Sequence, residues 1–165
     1  MGVDYTLPPD ARFAIVAARF NASIVEELLR GCVRRLGELK VGADDHVVHR
    51  VPGAFELPVA ARALAMTREF SAVICLGAVI RGDTPHFDFV AGEAARGIQQ
   101  VAIEQALPVI FGVLTTDTQQ QALDRIGGSH GHAGERAAEA AVEMAGVMHR
   151  IGGTRTGGHG FNRRG

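Results

Sequence analysis

Residues 81–86, Arg81-Gly82-Asp83-Thr84-Pro85-His86, put a glycine, a carboxylate, a hydroxyl and an imidazole into one short polar turn before a helical stretch. An imidazole that titrates near neutral pH suits proton transfer, so His86 is the best acid/base candidate. Gly82, Asp83 and Thr84 would offer backbone N–H groups and a hydroxyl at the positive end of a helix, a natural seat for an anion. Arg125 could grip a phosphate with its planar fork. Phe20, beside polar neighbours, could stack on a flat ring, and Glu56 could accept from a polyol. Each residue also has a plainer explanation when taken alone. His86 could cap a helix, the turn could be an ordinary N-cap, Arg125 could complement a helix dipole, and Phe20 and Phe111 could be core. His130-x-His132 has metal-like spacing but no third ligand nearby, so a solvated glycine-rich loop is the better reading.

These candidates are scattered, and the elements between them must gather them. Apolar runs alternate between short β-rich segments and longer helical ones, the mark of consecutive βα units around a parallel sheet. Strands are predicted over Arg12–Ala18, His46–Val51, Ala72–Ile80 and Pro108–Leu114. The third is almost unbroken apolar sequence and should be central, covered on both faces. The stripe Val25, Leu28, Leu29, Cys32, Val33, Leu36 fits a 3.6-residue period, with Ser23 and Glu26 as a capping box. A second helix runs through Val59, Ala63 and Met66, a third over Phe87–Gln105. Thr116 and Gln119 form a second capping box, for a short helix ending near Arg125. An alanine-rich helix covers Ala133–His149. The predicted fold is a single-domain α/β/α sandwich on a flavodoxin-like, parallel four-stranded sheet. Residues 1–11 form an extended segment that either pairs with a neighbouring subunit's sheet or frays, 12–151 the domain, and 152–165 a disordered Gly/Arg tail. In such sheets ligands collect beyond the carboxyl ends of the strands, where the segments 19–21, 52–56, 81–86 and 115–117 all fall.

Composition narrows the chemistry. With 165 residues and a formal charge of -1, the chain makes one domain and lacks the basic footprint of a nucleic-acid binder. Lys40 is the single lysine, which removes a Walker-type phosphate loop and leaves a Schiff base nowhere else to form. Cys32 and Cys75 read as buried reduced thiols. No run reaches a membrane span and no signal-peptide pattern opens the chain, so the cytoplasm is expected.

Four ordered segments resemble the lumazine synthase family: Arg19-Phe20-Asn21, Val51 to Pro58 (VPGAFELP), Leu76 to Val90 (LGAVIRGDTPHFDFV) and Phe111 to Thr118 (FGVLTTDT). The likeness runs from about residue 12 to 148. It implies a transferase of riboflavin biosynthesis that condenses 5-amino-6-(D-ribitylamino)uracil with 3,4-dihydroxy-2-butanone 4-phosphate, without cofactor or metal. By the resemblance, Phe20 stacks on the pyrimidine and Ala54, Phe55 and Glu56 line the ribityl chain. Ala78, Val79 and Ile80 read the ring edge through their backbone, and Phe111 closes the pocket from a neighbouring subunit. Asp83, Thr84 and Arg125 hold the phosphate, and His86 moves protons. It further implies a homopentamer, an icosahedral shell of pentamers, and association with riboflavin synthase. One departure stands out: where the family reads Gly-Asn-Lys-Gly, this chain has Gly131-His132-Ala133-Gly134, and Arg136 or His132 is expected to compensate for the missing lysine. The competing readings are a riboflavin-synthase-type relative that consumes lumazine and a non-catalytic flavin or lumazine carrier or shell protein. A flavodoxin-like electron carrier is disfavoured because Ala18–Ser23 has no phosphate cradle.

Overall fold

The computed structural model describes residues 2–156 and shows a parallel sheet between two helical layers. In chain order the elements are β1 (Phe13–Ala18), α1 (Ala22–Glu38), β2 (His46–Val51), α2 (Leu57–Met66), β3 (Ala72–Ile80) and α3 (His86–Gln105). There follow β4 (Val109–Thr116), α4 (Gln119–Leu123), a small hairpin of β5 (Ile126–Gly128) and β6 (Gly131–His132), and α5 (Ala133–Thr156). The main sheet runs β2-β1-β3-β4 with every pairing parallel.

Alternation along the strands sorts the core into two halves. Phe13, Ile15, Ile74 and Leu76 pack with Leu28, Cys32, Leu36, Ala138 and Val142, so α1 and α5 cover one face. Ala14, Val16, Val73 and Cys75 pack with Leu57, Ala61, Ala94, Ile98 and Val101, so α2 and α3 cover the other. Burying a Leu, Ile or Phe side chain contributes about 1.5–3 kcal/mol relative to leaving it in water. Two glycines set how closely the first layer stacks. A β-carbon at Gly134 would collide with the Leu28 carbonyl, and one at Gly31 with the His132 ring, so α5 and its entry hairpin lie directly on the α1 backbone.

The strands β2 and β3 have their expected bounds, while several ends differ for identifiable reasons. Helix α1 starts without a Ser23–Glu26 capping box. Asn21 stands at its N-cap in the left-handed region (φ 56°), a conformation that Asn tolerates better than most residues, and Glu26 pairs with Arg50 instead. The second capping box lies two residues later than Thr116–Gln119. Thr116 remains in β4, paired with Ile80, and Thr118 and Gln121 cap each other (Gln121 N to Thr118 Oγ1, 3.1 Å; Thr118 N to Gln121 Oε1, 3.3 Å). Helix α4 ends at Leu123, two residues before Arg125, and the segment expected to be a solvated glycine-rich loop forms the β5–β6 hairpin. Helix α5 runs past His149 to Thr156, so the expected Gly/Arg tail starts inside it; residues 157–165 lie outside the described residues. The N-terminal segment lies along its own chain: Tyr5 and Leu7 pack on the α1–α5 side of the core, and Arg150 pairs with Asp4 at 2.9 Å. Among the described residues no helix is long and apolar enough to cross a membrane.

Candidate active site

The loops beyond the strand ends are tied to one another mainly by backbone. Arg19 N donates to Val51 O (2.8 Å) and Phe20 N to Pro52 O (3.0 Å), joining the loops after β1 and β2. The Asn21 amide donates to Ala78 O at 2.8 Å, joining β1's loop to β3. Arg81 N donates to Thr116 O at 2.8 Å, joining β3's exit to β4's. The left-handed turn at Asn21 therefore has a purpose: it lets α1 begin at once while the side chain reaches the central strand.

A cleft of about 640 Å³ opens above these ties. Phe20, Ala54, Phe55 and Glu56 line it from the first two loops, and Ala78, Val79 and Ile80 form the part supplied by β3. Thr84 and His86 line it from the third loop and the start of α3. Phe20 is 71% exposed and Phe55 58%, an uncommon surplus of bare aromatic surface that marks a ligand or partner site. His86 is the first residue of α3, its backbone N–H directed at Thr84 Oγ1 (3.4 Å). An apolar slot with a carboxylate in one wall and an imidazole and hydroxyl at a helix start can hold a flat polar ring and move protons beside it.

Three expected site residues do not line this cleft within the single chain. Asp83 is exposed in the turn. Phe111 lies mid-strand on β4, opposite Cys75 and 42% exposed. The Arg125 guanidinium donates to Gln121 O at 2.7 Å, complementing the last turn of α4. Phe87, Phe89 and Val90 line the cleft without having been singled out. The signal was present: Phe89 follows His86 by three residues, which puts both on one helix face.

The hairpin after Arg125 differs from the expectation in one respect. His132 Nδ1 accepts N–H groups from Gly134 (3.2 Å) and Glu135 (3.4 Å), while its ring fills the space over Gly31. These bonds make His132 a cap at the start of α5. Arg136 donates to His130 O at 3.0 Å. Beside His132, Glu135 accepts from Arg34, and that hydrogen bond holds its carboxyl below the usual range. Among the described residues no three His, Cys, Asp or Glu side chains gather as metal ligands.

A parallel α/β sheet with an aromatic, imidazole-bearing cleft at its carboxyl edge defines a small-molecule protein of the doubly wound type, with the crevice where such sheets place their ligands. Residues 10–149 match the family model for 6,7-dimethyl-8-ribityllumazine synthase. The chain belongs to that family, whose members are transferases of riboflavin biosynthesis, bind small-molecule substrates and are typically oligomeric.

Proposed function

We propose that this chain condenses 5-amino-6-(D-ribitylamino)uracil with 3,4-dihydroxy-2-butanone 4-phosphate to give 6,7-dimethyl-8-ribityllumazine, phosphate and water. The observation that carries the reading is that Phe20 and His86, from loops 66 residues apart in sequence, line the same cleft. In this reading the uracil ring stacks on Phe20, its edge meets the backbone of Ala78, Val79 and Ile80, and the ribityl chain runs along Ala54, Phe55 and Glu56. Thr84, with Asp83 and Arg125, holds the phosphate. Arg125 spends one N–H on Gln121 O and has others to offer. Arg136 supplies further positive charge in place of the family lysine.

The substrate's own amine is the nucleophile, so no covalent attachment to the protein is required. The amine attacks the ketone and water leaves to form an imine; phosphate is eliminated to leave an enol that becomes a ketone, and the second nitrogen attacks that carbonyl and closes the ring with loss of a second water. His86 takes and returns protons during these steps, and the cleft holds both reactants at attack distance. Positioning of this kind is worth up to about 7–11 kcal/mol in favourable systems. The assembly is a homopentamer in which Phe111 of one copy closes the cleft of the next; a shell of pentamers and an associated riboflavin synthase are larger arrangements compatible with it.

Lumazine absorbance, followed after mixing purified protein with both substrates, tests the assignment. His86→Ala should lower kcat by roughly 10²–10⁴-fold, the range for a lost acid/base group. Arg125→Ala should raise KM for the butanone phosphate and leave KM for the pyrimidine nearly unchanged. Wild-type kinetics in both variants would remove these roles.

A further inference from the structure

Arg81 stands at the exit of β3 and makes contacts that the reaction as described does not use. Its Nε donates to Asp117 Oδ1 at 2.8 Å, and its NH1 group lies 3.4 Å from Asp88 Oδ1. The guanidinium carbon sits 4.3 Å from the centroid of the Phe87 ring. These partners belong to different elements. Phe87 and Asp88 are in the first turn of α3, directly after His86, and Phe87 lines the cleft. Asp117 lies between β4 and α4, and its N–H donates to Gln121 Oε1 at 2.8 Å, within the capping box that starts α4.

The pairs are solvent-exposed, with Arg81 44% and Asp117 66% accessible at the side chain. Exposed ion pairs add little to stability, so the arrangement is poorly explained as a stabilising device. Its geometry has a more specific effect. A planar guanidinium bonded at its edge and stacked on its face fixes its partners in direction as well as distance, which an ammonium group does not do.

We propose that Arg81 is a positioning residue that clamps the His86 turn to the start of α4, thereby setting Thr84 and His86 against Arg125. The inference rests on the condensation reading above. Arg81 touches neither reactant; it acts through Phe87, Asp88 and Asp117.

The test compares Arg81→Gln, Arg81→Lys and Asp117→Asn in the full-length protein, with Arg96→Gln, an exposed arginine on α3, as control. In Arg81→Gln, kcat should fall roughly ten- to a hundredfold, the scale of a displacement of about 1 Å in a reacting group. KM for the butanone phosphate should rise, KM for the pyrimidine should stay near wild type, and the unfolding midpoint should be unchanged. Lys should fail to rescue, and Arg81→Gln combined with Asp117→Asn should lose little beyond either alone. Hydrogen exchange over 82–88 and 117–125 should quicken together in Arg81→Gln. Unchanged kcat and phosphate KM, a loss that follows the unfolding midpoint, full rescue by Lys, or exchange that quickens in one segment only would each overturn the proposal. A wild-type protein that makes no lumazine would instead defeat the condensation reading, and the exchange measurement would still decide whether Arg81 couples the two loops.

Discussion

Cys75 lies in β3 with helices on both faces of the sheet, and Cys32 lies on the buried face of α1; both are fully buried and free. Burial pushes each thiol from an ordinary value near 9.0 up to about 12. Between those values an unfolded chain has released protons that the folded chain retains. The native state then binds more protons, and stability falls as pH rises through that window; below it the thiols contribute no pH dependence. The limiting slope is about 1.4 kcal/mol per pH unit for each thiol. We expect urea midpoints to drop more steeply from pH 9 to 11 in wild type than in Cys32→Ala/Cys75→Ala. Equal slopes would show that the thiols meet water in the native state.

Between elements, the tightest fit is where α1 meets the β5–β6 hairpin and α5. Gly31→Ala would thrust a methyl group into the His132 ring and push the hairpin off α1. A destabilisation of about 1–3 kcal/mol is expected from such overpacking, measured by chemical unfolding. Gly37→Ala, on the same helix with open space around it, should be neutral or stabilising. A Gly31 variant as stable as wild type would mean the two elements are free to separate. The element pattern was legible in the sequence wherever burial dictated it: β3 is uniformly apolar because both its faces are covered, and α1 shows its stripe because one face is. Ends were less legible, because they answer to partners distant in sequence. Asn21 is drawn to Ala78, 57 residues away, so the local Ser23–Glu26 pattern goes unused. Thr116 and Thr118 both qualify as caps, and strand pairing to Ile80 claims the first. The cleft's loops followed from the rule that such sheets bind at their carboxyl edge. The hairpin's packing did not, since nothing local says that His132 finds a missing side chain at position 31.

The single molecule leaves several large apolar side chains open to solvent. Phe20, Phe55 and Phe89 are bare around the cleft, Phe111 on β4, and Val59, Met66 and Ile103 on the outer face of α2 and α3. Phe111→Ala should weaken pyrimidine binding about tenfold, the order expected for losing an aromatic contact. If Phe111 serves the adjoining copy, co-expressing His86→Ala with Phe111→Ala chains should restore activity above either variant alone, because some junctions then unite an intact His86 with an intact Phe111. Activity equal to the simple average of the two would place each cleft within one subunit. The backbone ties beneath the cleft have a different consequence. Because amide and carbonyl groups make most of the joins between strand ends, the residues above them can be exchanged with little disturbance to what lies below. Such a foundation gives mutation a free hand over ligand preference, and makes this edge of the sheet a suitable platform for redesigned recognition.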